Sequence, residues 1–201
     1  DTYLKDAIDS VINQTHKDWE LLIIDNHSTD KTDELIQNYN DERIRLFKIN
    51  NGGNIAKSRN LGIKNATGDY IALLDSDDYW DVKKLQKCSS ILSKKPKCGV
   101  CHSEIWKYPH RTVQKNYGTI PFTFNNLINI GNLLSLSSTI IHTKILNDLD
   151  GFDESNKIIT AEDYDLWIRL AKMNYNIIFH KDPLGTYRIH ENSESSNVEK
   201  N

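Results

Sequence analysis

The chain has 201 residues, 38% of them hydrophobic and 26% charged, with a formal net charge of −3 and a pI near 6.2. That length suits one domain with a core large enough to fold without staples, and the charge balance argues against a nucleic-acid binder, whose footprint is a strongly basic face. No apolar stretch reaches the ~20 residues needed to span a bilayer, and the opening "DTYLKDAIDSV" has no signal peptide and reads as the middle of something, so an upstream segment is expected to be missing.

The first half alternates helix and strand. In "YLKDAIDSVINQ" (3–14), Leu4, Ala7, Ile8, Val11 and Ile12 form the stripe of an amphipathic helix. "WELLIID" (19–25) is apolar without helical period and predicts a buried strand. "HSTDKTDELIQNYN" opens with Ser28, Thr29 and Asp30 ahead of Asp33 and Glu34, which is a helix start. A strand over "RIRLFKI" (43–49), a turn at "NNGGN", a helix in "IAKSRNLGIKNA" and a strand in "GDYIALLD" follow. This trading of elements predicts an α/β protein with a largely parallel sheet and helices on its faces. Ligands of such sheets sit outside the carboxyl ends of the strands, where Asp25 and the "DSDD" cluster both fall.

Beyond Trp80, "VKKLQKCSSILSKKP" (82–96) predicts a helix stopping at Pro96. Strands are expected at 98–107 and in "LSLSSTIIH", with a less regular stretch between them. "KILNDLDGFDE" reads as a short helix ended by Gly151 as its C′ glycine. "AEDYDLWIRLAKM" (161–173) is a helix with acids in its first turn, and "NIIFH" is a strand. There is no linker or repeat, so residues 1–190 are expected to form a single domain, with 191–201 a loose polar tail.

Of the cysteines, Cys98 and Cys101 form a C-x-x-C pair beside His102, while Cys88 stands apart. A zinc ribbon needs a second pair and a redox motif a thioredoxin-like context, so a strand with small buried thiols is the simpler reading. An odd cysteine count without a disulfide pattern suits a reducing compartment, hence a cytoplasmic location.

Two acidic constellations carry chemistry. Asp75, Asp77 and Asp78 crowd a strand end, and like charges this close repel unless a cation, water or hydrogen-bond donor offsets them. Hard oxygen ligands of this kind suit Mg²⁺ or Mn²⁺. Aspartates two apart in an extended segment point the same way, so Asp75 and Asp77 can address one ligand. The alternative is that Asp77 or Asp78 caps the helix near Val82. The second constellation is Glu162, Asp163 and Asp165, where the helix dipole favours anions. With Leu166, Trp167 and Leu170 facing the core, one acid is expected at the rim of the pocket, where it can act as a general base.

In this order, "YLKDAIDSVINQTHKDWELLIIDNHSTDKT", "AKSRNLGIKNATGDYIALLDSDD", "GFDE" and "AEDYDLWIRLA" resemble the family 2 glycosyltransferases of GT-A fold, over roughly residues 3–190. The resemblance implies a Rossmann-like, mostly parallel central sheet flanked by helices. It implies an enzyme that moves a sugar from a nucleotide diphosphate donor, a UDP-sugar by expectation, to an acceptor hydroxyl with inversion. It further implies a metal at Asp77, with His190 of "TYRIHENSES" close to it, and a donor pocket from Asp25, Asn26, Arg59, Asp75 and Ser76, although Arg59 could equally be a structural ion-pair partner of a nearby acid. Asp163 matches the catalytic base, with Glu162 and Trp167 on the acceptor side, and Arg188 matches a phosphate contact. Asn26 stands where a second acid is common, which leaves the base identity open.

The family's first strand, of S-V-I-I-P-T-Y-N type, has no counterpart here. The expected cofactor is Mn²⁺ or Mg²⁺, and the expected acceptor is a saccharide or lipid-linked saccharide of bacterial polysaccharide or glycoconjugate synthesis. The lysines between Lys83 and Lys97 could dock on anionic lipid at the inner face of a membrane, although a solvated helix face is the commoner case. Trp106, Tyr108 and Tyr117 could stack on acceptor sugars or pack in the core. A nucleotidyltransferase, or a sugar-nucleotide-binding module or fragment without activity, are the alternatives.

Overall fold

The computed structural model describes residues 3–95, 98–108, 112–113 and 120–190. The expected tail at 191–201, the helix stop at Pro96 and Tyr117 lie outside the described residues.

The amphipathic stripe at the start forms α1 (Leu4–Ile12), with Ala7, Ile8 and Val11 buried. β1 (Leu21–Asp25) pairs in parallel with β2 (Ile44–Lys48), Leu21 opposite Ile44 and Asp25 opposite Lys48, with α2 (Thr32–Gln37) crossing between them. α3 (Ile55–Asn65) is capped by Asn54, whose side chain accepts the Ala56 N–H at 3.1 Å. It leads into β3 (Tyr70–Ala72).

β3 belongs to a second, six-stranded sheet with β4 (Tyr79–Trp80), β5 (Cys98–Tyr108), β6 (Thr112–Val113), β7 (Thr139–His142) and β8 (Asn176–Arg188). Its order is β3-β7-β5-β8-β4, with β6 on β5. β5 and β8 run parallel; β3–β7, β5–β7, β4–β8 and β5–β6 are antiparallel. The last strand, read from "NIIFH" as short, continues to Arg188, and this carries residues 188–190 back to the carboxylate turn.

Neighbouring residues of β7 point to opposite faces and so define two helical layers. Ile141 joins the main core, where Leu127, Leu146, Leu166, Trp167 and Leu170 pack from α5 (Phe124–Ile130), α6 (Thr143–Asp148) and α7 (Glu162–Lys172), with Phe152 from the segment after α6. Ile140 joins Cys88, Leu92 and Leu184 under α4 (Lys84–Ser93).

α6 ends in a Schellman motif. The Asp150 N–H donates to the Asn147 carbonyl at 3.1 Å and the Gly151 N–H to the Leu146 carbonyl at 2.8 Å. Gly151 is therefore one position beyond the C′ site expected of it: Asp150 takes that place with φ 58°, and Gly151 follows with φ 65°. Arg169 of α7 then donates to the Leu149 and Gly151 carbonyls at 2.8 and 2.9 Å, so the helix end is satisfied from across the core.

The two sheets do not join through a described strand. β1 is bonded to β2 and β3 to β7, and a cavity of about 1540 Å³ is lined by Ile8 and Val11 of α1, Leu22 and Ile24 of β1, and Tyr70 and Ile71 of β3. Leu21 to Ile24, expected to be buried, are accordingly only half-buried.

Candidate active site

Asp75 to Asp78 form a tight turn, not an extended segment: the Asp78 N–H donates to the Asp75 carbonyl at 3.1 Å. Alternation along a strand is thus not what places these acids, and each goes to a different partner. Asp75 accepts from Arg59 Nη2 at 3.0 Å. Asp77 Oδ2 lies 3.0 Å from His190 Nε2. Asp78 turns inward, is 1% exposed, and accepts the backbone N–H of Arg188 at 2.9 Å. The capping alternative is set aside, because Asp81, not Asp77 or Asp78, accepts the Lys83 N–H ahead of α4, at 2.9 Å.

The turn is fixed from outside. Ser137 Oγ accepts the Asp75 N–H at 3.1 Å, and the Ser137 carbonyl takes the Trp80 indole N–H at 2.7 Å. Burial pushes the Asp78 carboxyl up to about 7, opposed by hydrogen bonds from Ser137 and the Arg188 N–H, with Asp75 and Asp77 adding to the rise. Burial likewise raises Asp75, against the pull of Arg59.

His190 stacks on the Tyr3 ring at 4.8 Å between centroids, which orients its imidazole toward Asp77. Arg188, which matched a phosphate contact, has its guanidinium 2.8 Å from Asp6 and 4.5 Å over the Tyr3 ring. Arg188 and His190, just past β8, thus meet Tyr3 and Asp6 of the first helical segment at the carboxylate turn.

Asp163 sits in the first turn of α7. Its Oδ2 accepts from Asn132 Nδ2 at 3.0 Å and its Oδ1 from the Tyr164 N–H at 2.6 Å. Burial nevertheless holds its carboxyl above the usual range, with Glu162 pushing the same way. A carboxylate so shifted is a better proton acceptor than an exposed one. Glu162 is paired with Arg59 through Oε1, while its buried Oε2 has no hydrogen-bond partner. Thr160, just upstream, holds φ 71°, a strained value for a β-branched residue.

At the end of β1, Asp25 is 4% exposed; its Oδ1 accepts from the Ser28 N–H at 3.0 Å, and its Oδ2 has no hydrogen-bond partner, with Lys48 Nζ 3.8 Å away. Asn26 accepts the Asn51 N–H at 2.9 Å and so shapes the "NNGG" turn. Asp25, Asn26, Ser76, Asp77, Asp163 and His190 all line this same cavity, as do Arg59, Asp75 and Glu162.

Trp167 is the exception. It is fully buried in the main core, and with no accessible surface it cannot contact an acceptor, so the acceptor-side placement expected of it is corrected. Asn132 and Ser137 were not anticipated. They come from the irregular stretch before β7, where the one signal was the run of small hydroxyl residues in "LSLSS".

Among the described residues no group of three or more His, Cys, Asp or Glu side chains is gathered closely enough to hold a metal alone. Asp77 and His190 nonetheless offer one carboxylate oxygen and one imidazole nitrogen at the same point, a fitting partial shell for a divalent cation whose other ligands are phosphate oxygens and water. No helix among the described residues is long and apolar enough to cross a membrane.

The family model described as "Glycosyl transferase family 2" matches residues 1–148. TuaG of Bacillus subtilis (strain 168), named for teichuronic acid biosynthesis, is 30% identical over 97% of this chain and 77% of its own length. An Escherichia coli protein, the UDP-Glc:alpha-D-GlcNAc-diphosphoundecaprenol beta-1,3-glucosyltransferase WfaP, is 31% identical over 95% of this chain and 74% of its own. Among solved structures, S. aureus TarS 1–349 in complex with UDP-GlcNAc superimposes with a TM-score of 0.81 at 24% identity, over 98% of this chain and 57% of that one. The mannosyltransferase PcManGT from Pyrobaculum calidifontis, in complex with GDP-Man and Mn²⁺, gives 0.76 at 17% identity, over 97% and 55%. The chain therefore spans a little over half the length of these solved structures, and the likeness establishes the GT-A fold.

Proposed function

We propose that this chain, which belongs to glycosyl transferase family 2, transfers a sugar from a nucleotide diphosphate donor to an acceptor hydroxyl with inversion at the anomeric carbon. The observation that carries this reading is that Asp77 and Asp163, from turn and helix far apart in the chain, line one cavity. A UDP-sugar is the donor favoured by the UDP-GlcNAc complex of TarS and by the UDP-Glc in the name of WfaP.

Transfer at C1 passes through an oxocarbenium-like state, and the acceptor hydroxyl must lose its proton as it attacks. Asp163 is the base: its carboxyl is raised by burial, and the Asn132 and Tyr164 bonds fix its orientation. Asp77, with His190 beside it, would hold Mn²⁺ or Mg²⁺, which supplies positive charge to the leaving diphosphate. Asp25 at the end of β1, with Asn26, Ser76 and Asp75, shapes the donor side. Base and leaving group on opposite sides of C1 give in-line displacement, with no covalent sugar intermediate. The acceptor class is a saccharide or lipid-linked saccharide of bacterial polysaccharide synthesis, supported by the diphosphoundecaprenol acceptor in the name of WfaP. Work at such an acceptor brings the protein to the surface of a membrane.

The test is a screen of nucleotide sugars against candidate acceptors, with and without Mn²⁺, reading release of nucleoside diphosphate. Release that requires the acceptor supports the reading. Thermal stabilisation by a nucleotide sugar without release would make the chain a binding module, and release of pyrophosphate would make it a nucleotidyltransferase.

A further inference from the structure

Arg59 of α3 is half-buried, its side chain 13% exposed, and its two terminal nitrogens are committed to carboxylates that stand 16 and 103 positions away in the chain. One is Asp75, which opens the turn that carries Asp77, at 3.0 Å. The other is Glu162, immediately before Asp163, with 8% of its side chain exposed. The guanidinium is planar and its donors diverge in a rigid fork, so the two carboxylates it holds are fixed relative to each other.

The arginine itself is held. The Phe152 ring lies 5.4 Å from its guanidinium carbon. The next residue, Asn60, binds the Phe152 backbone in both directions at 2.8 Å and donates to Glu154 Oε1 at 2.9 Å. α3 is thereby pinned to the segment that runs toward α7.

We propose that Arg59 is a positioning residue that sets the span between the metal-holding turn and the base-holding helix, and does so by bridging Asp75 to Glu162. This rests on the proposed transfer reaction for its purpose, not for its geometry. In-line displacement needs the base and the leaving diphosphate at a fixed separation across C1, and a displacement of 1 Å can cost ~10²-fold in rate. A lysine keeps the positive charge at residue 59 but not the fork, so it separates bridging from simple attraction for phosphate.

The experiment compares the wild type with Arg59→Lys, and with Glu162→Gln, which removes the charge at one end of the bridge so that Arg59 no longer holds the two carboxylates against each other. Two readouts are taken: steady-state kinetics with UDP-sugar and Mn²⁺, and backbone hydrogen exchange of the donor-free protein. Arg59→Lys is expected to lower kcat by at least ~30-fold with donor KM within ~3-fold. In both variants exchange is expected to quicken together at the Asp78 amide, which closes the turn, and at the Tyr164 and Asp165 amides, which begin the helix. A raised KM with kcat intact would make Arg59 a donor ligand and overturn the proposal. Faster exchange at only one of the two segments, or at neither, would overturn it as well. If the wild type turns over no nucleotide sugar while exchange moves at both segments, the transfer reading fails and the bridge stands. Should Arg59→Lys not fold, Glu162→Gln decides by the same exchange criterion.

Discussion

Gly151→Ala is expected to destabilise the protein through its left-handed backbone and a clash with the Asn60 side chain. Gly151 holds φ 65° in the Schellman motif that ends α6, and a Cβ placed there would meet Asn60 Oδ1 at 2.4 Å. The left-handed conformation costs an alanine about 1–2 kcal/mol. The Asn60 amide must also move, which breaks its hold on the Phe152 N–H at 2.8 Å and the bonds from its Nδ2 to the Phe152 carbonyl and Glu154. Each such bond has a net worth of about 1 kcal/mol. Against this, alanine reduces the freedom of the unfolded chain by about 0.4–1 kcal/mol. The sum is a loss of about 4 kcal/mol, which for a chain of this length lowers Tm by about 8–16 °C. Urea denaturation followed by circular dichroism reads the free energy directly. If the clash is with Asn60, the double variant Gly151→Ala/Asn60→Ala costs less than the sum of the single ones. A loss below about 0.5 kcal/mol for Gly151→Ala, or strict additivity in the pair, would refute the contact.

Asp78 gives a pH signature in metal-free protein. Its folded-state carboxyl lies at about 7, above its ordinary 3.8, so its contribution is fully present below pH 4 and is lost as pH rises through 7. The difference is about 4 kcal/mol at most, and Asp78→Asn should flatten the fall in stability between pH 4 and 8; melting curves of the two proteins that stay parallel over that range would contradict this. Trp167→Phe should leave acceptor KM within ~3-fold of wild type, because the indole is fully enclosed in the core. A tenfold rise in acceptor KM with unchanged donor KM would restore an acceptor role to that residue.

The alternation of elements was legible because it rests on local periodicity, and so were the acids of the turn and of α7. What local pattern could not supply is partnership. Asp78 reads as a third member of an acidic cluster, yet its role is to hold the Arg188 N–H, 110 positions away. Asp75 and Asp77 looked equivalent as alternate residues of a strand, but the turn sends one to Arg59 and the other to His190. Asn132 is invisible for the same reason, since an amide after a short helix acquires meaning only from the carboxylate it meets. The half-burial of β1 was legible only through the family's first strand, which has no counterpart here, because apolar composition by itself records what a strand can bury and not whether a neighbour lies beside it.

The central claim is that Asp163 takes the acceptor proton while Asp77 serves the donor end. The measurement that tests it most directly is Asp163→Asn, with donor affinity by calorimetry in the presence of Mn²⁺ and turnover with acceptor on the same sample. Donor affinity within ~3-fold of wild type together with a loss of turnover of at least ~10³-fold is the predicted result. Turnover within a few-fold of wild type would contradict it.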